Sequence, residues 1–475
     1  MRWMVTGCLL FVIAGLAGAQ ETRFELGQRL RLLERAIDQH GSEEARKRAL
    51  EPLEQATPTF FRGQLAEAAG LLDRARLLLP SAGPITPEML WAESLVVRPA
   101  RRLVDTSGES LVIRVERFYK VSASKPDKTD LRLMLVNRQG KSVVRKEFPL
   151  GEPPVEASLS LRDLAEGDYT IRAEVLVAGT MRARSEQTLS VVQKLNDRLA
   201  HLRQLMAGHD GKASTVESAT LERLLTILGD LQAGRTAETN YPAARLLAEA
   251  ESVAQAHTRK ERFYTARRAG QFWLGLPVTT RAEPVRVQVP RNLDPARPVP
   301  LVVALHGAGG SENMFFDGYG DGLVAKLCEK KGWLLVTTRS PLFSFAGGPD
   351  VLGVIDSLAK LYPVDMKRVV LIGHSMGAAQ AVSFAGRSPD RFLAVAALGG
   401  GGGFKASEGV KKVRFFVGCG ERDFALTGAK NLHRNLQKAG IATVLFKTYP
   451  HVEHLLIVQL ALPEVFQFFE DAFRG

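Results

Sequence analysis

V-V-L-I-G-H-S-M-G, the stretch at residues 369–377, decides the fold of the second half of this chain. Its four apolar residues predict a buried strand. The strand runs into a short turn in which Gly373 and Gly377 flank Ser375. Since glycine has no Cβ, the chain can turn sharply here and expose the serine hydroxyl before a helix begins. A serine hydroxyl is a weak nucleophile unless a histidine within hydrogen-bond reach takes its proton. The motif therefore nominates Ser375 as a nucleophile.

A second buried strand lies upstream and ends in a glycine-rich loop. The run Pro300–Leu305 is nearly all apolar, which is typical of a strand covered on both faces, and H-G-A-G-G-S follows at 306–311. Acyl transfer develops an oxyanion that about two backbone N–H groups must hold, and glycine permits that close approach. We assign one N–H to Met376, directly after the serine, and the other to Ala308, with Gly309 as the neighbouring candidate.

An acid is expected at the end of the strand V-R-F-F-V-G, residues 413–418, which C-G-E-R-D follows. A carboxylate at this position can hold a catalytic histidine in the correct tautomer and stabilise the imidazolium that forms. Asp423 is the preferred acid. Glu421 is the competitor because it lies only two residues away.

A base is expected after T-V-L-F-K-T-Y, residues 443–449, in the loop P-H-V-E-H. His454 is preferred over His451 because it stands at the end of that loop, directly before an apolar helix at 455–473. The serine, the acid and the histidine then follow one another in the order expected of one hydrolase fold.

Residues 262–475 resemble an α/β-hydrolase. The phrase Y-P-V-D-M-K-R-V-V-L-I-G-H-S-M-G at 362–377 resembles secreted carboxylesterases: feruloyl and acetylxylan esterases, polyhydroxyalkanoate depolymerases and, further off, prolyl oligopeptidase-type domains. The resemblance implies a mostly parallel sheet with helices on both faces, an acyl-enzyme, and no metal or organic cofactor. Many relatives have a second glycine after the elbow, where this chain has Ala378. The residues that carry over are the triad Ser375, Asp423 and His454 and the oxyanion donors Ala308 and Met376.

Residues 1–19 are predicted to be a secretory signal peptide. Arg2 makes the start positive, Val5–Leu16 is largely apolar, and A-G-A at 17–19 is a small-x-small cleavage pattern. V-T-G-C at 5–8 matches a lipoprotein cleavage box only superficially, because no apolar core precedes it. We expect a secreted, periplasmic or cell-envelope protein with no transmembrane span after removal of the signal.

Cysteine usage argues against a disulfide framework. If Cys8 leaves with the signal, Cys328 and Cys419 remain, on a predicted helix and at a predicted strand end. These positions favour two buried thiols over one bridge. No spacing of Cys and His is typical of a zinc site.

The pattern before the hydrolase-like part changes twice. Apolar residues follow helical spacing at 20–94 and again at 194–261, which favours helical bundles over a repeat array. Residues 95–193 contain short strands separated by Gly, Pro, Asn and Asp. L-A-E-G-D-Y-T-I-R-A at 164–173 resembles the tyrosine-bearing hairpin of immunoglobulin-like sandwiches. We expect a multidomain chain: a helical region, an immunoglobulin-like β-sandwich, a second helical region, and an α/β-hydrolase at 262–475.

The net charge of +12 is concentrated in the hydrolase-like part. Residues 262–475 have 26 Lys and Arg against 17 Asp and Glu, a net +9, whereas residues 20–261 have 36 against 34, a net +2. This excess serves solubility, or it attracts acidic polymers, anionic envelope surfaces or negatively charged esters. Without an arginine-rich tract, zinc finger or aromatic RNA-binding signature, nucleic acid is not an expected partner. The modules before residue 262 are expected to contact the cell envelope or a polysaccharide.

The sequence thus predicts a serine hydrolase that cleaves carboxylic esters, with a polymeric or anionic ester as a candidate substrate. Two alternatives stay open: a serine peptidase of the prolyl oligopeptidase superfamily, and a non-catalytic binding protein with a vestigial hydrolase domain. The short connection after the strand at 392–398 leaves no room for a helical cap, which predicts an open cleft. Four loop residues either line a pocket there or serve as packing: Phe315, Phe316, Phe343 and Phe345.

Overall fold

A computed structural model describes residues 3–80, 83–108, 110–207, 215–235, 239–279, 281–340 and 348–474, with side chains from residue 22 onward. The described residues form two compact units. One unit takes its residues from 1–30, 58–210 and 224–255, and the other from 31–57, 211–223 and 256–475. Each of the two predicted helical regions therefore contributes residues to both units. Among the described residues, no helix is long and apolar enough to cross a membrane.

Along the first part of the chain, helices precede and follow a group of eight strands among the described residues. The helices before the strands are α1 Trp3–His40, α2 Glu43–Phe61, α3 Leu65–Leu78 and α4 Pro87–Glu93. The strands are β1 Leu95–Pro99, β2 Leu103–Asp105, β3 Ser110–Arg117, β4 Thr129–Val136, β5 Ser142–Pro149, β6 Val155–Ser160, β7 Gly167–Val177 and β8 Thr180–Val192. The helices after the strands are α5 Leu195–Ala207, α6 Val216–Gln232 and α7 Ala243–Thr258.

The eight strands of the first unit form two sheets. One has the order β1-β3-β6 and the other the order β2-β8-β7-β4-β5, with only the β2–β8 pair parallel. Ile113 of the first sheet and Leu133 of the second are completely buried in one shared apolar core. The Tyr169 hydroxyl donates to the Ala165 carbonyl at 2.7 Å, the backbone contact of a tyrosine corner. The immunoglobulin-like assignment stays a prediction.

The second unit is built on a sheet of eight strands. The strands are β9 Gly270–Pro277, β10 Ala282–Val289, β11 Val299–Leu305, β12 Leu334–Thr338, β13 Val364–His374, β14 Ala394–Leu398, β15 Arg414–Gly420 and β16 Val444–Tyr449. The helices are α8 Met314–Asp317, α9 Tyr319–Lys331, α10 Val351–Ala359, α11 Met376–Arg387, α12 Leu426–Lys438 and α13 Ile457–Arg474, with 3₁₀ turns at Pro389–Arg391 and Val410–Lys412.

The order of these strands is β9-β10-β12-β11-β13-β14-β15-β16. β10 pairs antiparallel with both of its neighbours, and the other five pairs are parallel. Every residue of β12 and β14 is buried, as expected for central strands of a parallel sheet. Because parallel strands end at one edge, the loops after β11, β13, β15 and β16 emerge together. That edge is where the sequence placed its candidate residues.

Helical residues from before the sheet also belong to the second unit. The backbone N–H of Phe263 donates to Glu217 at 3.0 Å, and the N–H of Gly275 in β9 donates to the Thr220 hydroxyl at 3.1 Å. The first turns of α6 therefore hold the edge strand of the sheet.

Candidate active site

Ser375 lies in a strained turn between β13 and α11, with φ +56° and ψ −116°. A positive φ at a residue other than glycine costs of order 1–3 kcal/mol and persists only where packing enforces it. Here the backbone of the serine turn is in direct contact with the end of β11 and with itself. A Cβ at Gly377 would lie 2.0 Å from the Leu305 carbonyl oxygen, and one at Gly373 would lie 2.1 Å from that of Gly377. Both glycines are therefore required by the turn that presents Ser375, which is half-buried.

Asp423 and His454 form a buried pair at the same sheet edge. Nδ1 of His454 lies 2.9 Å from Oδ1 of Asp423, which also accepts the backbone N–H of Ala425 at 2.8 Å. Burial works against ionisation of Asp423, but the hydrogen bond and charge of His454 outweigh it and lower the pKa of the carboxyl. With Nδ1 as the donor, Nε2 is left as a proton acceptor.

The two competing residues lie elsewhere. Glu421 is exposed, and its backbone N–H donates to the Tyr449 carbonyl at 3.0 Å. The side chain of His451 is one-third exposed, and its Nε2 lies 3.6 Å from a carboxylate oxygen of Glu43. The structure thus brings together the preferred acid and the preferred base, and neither competitor takes part in that pair.

The glycine-rich loop after β11 passes directly beside Ser375. The N–H of Gly310 donates to the Gly307 carbonyl at 3.2 Å, closing a tight turn with Ala308 and Gly309 at its centre. Gly309 has φ +82°, the left-handed conformation that the third position of a type II turn requires. A Cβ at Gly307 would lie 3.2 Å from the Cβ of Ser375. The oxyanion roles of Ala308 and Gly309 stay predictions.

Met376 is the first residue of α11. The N–H groups of a first helical turn have no acceptor within the helix, which leaves that of Met376 suited to an oxyanion. The glycine run at 399–403 folds over this turn, because a Cβ at Gly400 would lie 2.7 Å from the Ser375 carbonyl oxygen. A Cβ at Gly399 would lie 3.0 Å from Oδ2 of Asp423.

Sequence reasoning missed two supporting arrangements beside the site. Glu312, directly after the glycine-rich loop, is completely buried and pairs with Arg223 at 2.5 Å and with Arg339 at 3.1 Å. Burial opposes its ionisation, but these two guanidinium groups prevail and lower its pKa. In the other arrangement, the Tyr319 hydroxyl lies 2.6 Å from Nδ1 of His374, the residue before the elbow serine. The only hint of this contact in the sequence is that a histidine, His374, stands at the end of an apolar strand.

The candidate pocket residues divide into two groups. Phe315 is completely buried and Phe316 is 5% exposed, so both are packing residues. Phe343 and Phe345 lie outside the described residues. Phe424, which the sequence did not single out, is 64% exposed, and its ring centroid lies 4.3 Å from that of His454.

Cys328 and Cys419 are both buried and unbridged, as predicted. Burial raises the pKa of each thiol, and the neighbouring Asp423 adds to the effect at Cys419. The side chain of Cys8 lies outside the described residues. Within the described part of the chain, no group of three or more His, Cys, Asp or Glu is arranged to hold a metal ion.

The strand order, the serine turn and the acid–histidine pair at one sheet edge are the arrangement of an α/β-hydrolase, and the chain resembles serine esterases with that fold. No protein-family model and no curated protein matches the sequence. A thermostable esterase of known structure is 16% identical, with 80% of this chain and 98% of that chain covered, at a TM-score of 0.39.

Two further similar structures cover only part of this chain. A ferulic acid esterase is 18% identical, with 43% of this chain and 98% of that chain covered, at a TM-score of 0.38. A fluorophosphonate-binding serine hydrolase of Staphylococcus aureus is 14% identical, with 42% of this chain and 97% of that chain covered, at a TM-score of 0.35.

Proposed function

We propose that this chain is a serine hydrolase that cleaves carboxylic esters, with Ser375 as the nucleophile, His454 as the base and Asp423 as the orienting acid. The observation that carries the proposal is the buried 2.9 Å pair of Asp423 and His454 at the edge where the strained turn presents Ser375. The short distance between the proposed base and that turn also supports the proposal. The ring of His374, directly before Ser375, has its centroid 4.7 Å from that of His454.

In this mechanism Nε2 of His454 takes the proton of the Ser375 hydroxyl while the serine oxygen attacks the ester carbonyl carbon. The tetrahedral intermediate collapses when His454 gives that proton to the leaving alcohol, which forms the acyl-enzyme. A water molecule, deprotonated in the same way, then cleaves the acyl-enzyme and restores Ser375. Asp423 stays ionised throughout and stabilises the imidazolium, because its pKa is held below the ordinary value.

Backbone N–H groups stabilise the negative charge of the tetrahedral intermediate by donating hydrogen bonds to its oxyanion. We assign them to Met376 and Ala308, with Gly309 as the alternative to Ala308. The N-terminus of α11 adds a partial positive charge at the same point. This chemistry requires no metal or organic cofactor.

The substrate is an ester with an apolar or aromatic group close to the base. Phe424 presents an exposed ring beside His454, where such a group would contact it. The +9 charge of residues 262–475 favours a negatively charged ester, whether small or polymeric. Consistent with an open cleft, one short 3₁₀ turn at Val410–Lys412 is the regular structure between β14 and β15.

The test is labelling by a fluorophosphonate probe together with a panel of p-nitrophenyl, feruloyl and acetylated-polysaccharide esters. We expect the protein to be labelled and to hydrolyse esters, and Ser375→Ala to lose both properties while it still folds. Labelling with peptide cleavage instead of ester hydrolysis would indicate a peptidase. A folded protein that is not labelled would indicate a binding protein with a vestigial hydrolase domain.

We further propose that the protein is exported by its first 19 residues and acts outside the cytoplasm or in the cell envelope. The helical regions and the proposed immunoglobulin-like sandwich at 95–193 then dock the hydrolase to an envelope surface or polysaccharide. Mass spectrometry of the exported protein checks the first part: the expected N-terminus is Gln20. Pull-down on insoluble polysaccharide checks the second.

A further inference from the structure

A chain of hydrogen bonds connects the glycine-rich loop with the backbone of the proposed base. The N–H of Gly307 donates to the Tyr319 hydroxyl at 3.4 Å, and that hydroxyl lies 2.6 Å from Nδ1 of His374. On the other side of the ring, Nε2 of His374 lies 2.9 Å from the carbonyl oxygen of His454. Tyr319 and His374 are each only 3% exposed. Water therefore has little access to these bonds.

The groups involved fix the direction of each bond. A carbonyl oxygen can only accept, so His374 donates from Nε2 to His454. Burial and the neighbouring His454 lower the pKa of His374 to about 3, so its ring is neutral near pH 7 and Nδ1 has a lone pair. The Tyr319 hydroxyl then donates to Nδ1. This direction fits the phenol of Tyr319, whose pKa burial raises.

Tyr319 begins a left-handed turn. Gly320, Asp321 and Gly322 have φ values of +64°, +51° and +75°. Such a run is strained at Asp321, since a Cβ is disfavoured in this conformation. Space is also restricted, because a Cβ at Gly322 would lie 2.2 Å from the Phe316 carbonyl oxygen. The turn therefore needs partners that hold it.

Those partners come from the part of α1 after Leu30, which belongs to the same compact unit as Tyr319. Glu34 is completely buried, and its carboxyl group accepts the N–H of Asp321 at 3.5 Å and that of Gly320. Arg35 pairs with the Asp321 carboxylate at 2.9 Å. Gln459 of α13 donates to the Glu34 carbonyl oxygen at 3.0 Å, which fixes this turn of α1 against the C-terminal helix.

We propose that Glu34, Tyr319 and His374 are positioning residues for the base. Glu34 holds the left-handed turn, the turn fixes the Tyr319 hydroxyl, and Tyr319 orients His374, which holds the backbone of His454. Through Gly307, the same hydroxyl also holds the loop that contains Ala308. The inference rests on the proposed function, and it makes the chemical step depend on a residue far outside the sequence that resembles a hydrolase.

Tyr319→Phe is the first test, because it removes one oxygen and keeps the ring in place. Without the hydroxyl, Nδ1 of His374 loses its donor and the ring can adopt the other tautomer, whose Nε2 lone pair repels the His454 carbonyl. We expect kcat for p-nitrophenyl acetate to fall about 10- to 100-fold, with KM changed by less than about 2-fold. Active-site titration with the fluorophosphonate probe normalises kcat to the folded fraction.

His374→Gln and His374→Leu form a matched pair. The glutamine amide offers an acceptor oxygen and a donor NH₂ group in place of the acceptor and donor nitrogens of the neutral imidazole, whereas leucine offers neither. We expect His374→Gln to retain most of the kcat that His374→Leu loses. A role in packing alone would give the opposite order, because leucine suits a buried apolar site better.

Glu34→Gln and Glu34→Ala test the remote end of the chain. The glutamine carbonyl can still accept from Asp321 and Gly320, so we expect kcat near that of the native protein. Glu34→Ala removes the acceptor, and kcat should fall at unchanged KM. Glu44→Ala, at an exposed position of α2, is the control and should have no effect.

Ser375→Ala, assayed in parallel, separates the two proposals. If Ser375→Ala retains turnover, the proposed function fails. If Ser375→Ala is inactive while Tyr319→Phe and His374→Leu keep the native kcat, the positioning inference is overturned and the proposed function stands. A higher KM at unchanged kcat in Tyr319→Phe would also overturn it, since the hydroxyl would then act on substrate binding.

Discussion

Nη2 of Arg223 lies 2.5 Å from Oε1 of Glu312, a carboxylate with no exposed surface. Arg223 comes from α6, ahead of the sheet, and Glu312 follows the glycine-rich loop. Removal of one partner from a buried ion pair costs about 3–5 kcal/mol, because the other charge stays buried. Arg339 still pairs with Glu312 and offsets part of that cost. The loop beside Ser375 is thus held from outside the hydrolase-like sequence.

A protein truncated to residues 262–475 tests this dependence. The sequence predicts a hydrolase domain at 262–475, whereas the structure gives that domain partners at Arg223 and Glu34, which lie before it in the chain. We expect the truncated protein to have a lower melting temperature and at least about 10-fold lower kcat on p-nitrophenyl acetate than a protein starting at residue 20. Equal kcat per folded molecule would show that the earlier residues are dispensable for the chemistry.

The two histidines of the loop after β16 should differ sharply. His454→Ala removes the proposed proton acceptor and should lower kcat/KM by about 10³- to 10⁴-fold. His451→Ala removes only a partly exposed contact with Glu43 and should have little effect. Steady-state kinetics on p-nitrophenyl acetate measures both, and the reverse order would reassign the base to His451.

Phe424 should affect substrate binding more than the chemical step. Phe424→Ala removes exposed aromatic surface beside His454, so KM for a feruloyl ester should rise about 5- to 10-fold with kcat nearly constant. Leu445→Ala, at a 45% exposed position of β16, is the control. A loss of kcat at constant KM would indicate instead that the ring of Phe424 holds the imidazole.

Stability should decrease as the pH rises from about 4.5 to about 8. Burial raises the pKa of Glu34 and of Glu453 from 4.5 to about 8. Between these values the folded protein holds protons that the unfolded chain has released, so the free energy of unfolding falls as pH rises. His374, with its pKa lowered to about 3, acts in the opposite sense only below about pH 6.5.

Urea denaturation at pH 6.5 and pH 8 measures this effect. Each glutamate should contribute about 1–2 kcal/mol to the decrease, and Glu34→Gln with Glu453→Gln should largely remove it. Glu44→Gln, at an exposed position, should leave the decrease unchanged. A decrease of native size in the double variant would mean that other groups titrate.

The sequence predicted the strands around the site because each is a local apolar run. The runs at 300–305, 369–372, 413–418 and 443–449 lie within β11, β13, β15 and β16, apart from residues 413 and 443. Parallel strands end at one edge, so candidates placed after each run were bound to lie near one another. Asp423 and His454 do so, as a hydrogen-bonded pair.

The supporting contacts could not be predicted in this way. Tyr319 stands in Y-G-D-G, a pattern that indicates a turn and nothing more. Its partner His374 is 55 positions away, and Arg223 is 89 positions from Glu312. Contacts of this kind depend on the closed tertiary structure. The same holds for Phe315 and Phe316, whose burial follows from the fold and not from their loop position.

The bond between Glu34 and Gln459 spans 425 positions of the chain. Ribosomes add about 5–20 residues per second, so the interval between the synthesis of Glu34 and that of Gln459 is on the order of 20 to 90 s. His454 and the helix that follows it are made only at the end of that interval. If the proposed mechanism holds, a nascent chain acquires its base only when translation is nearly complete, and it is inactive until then.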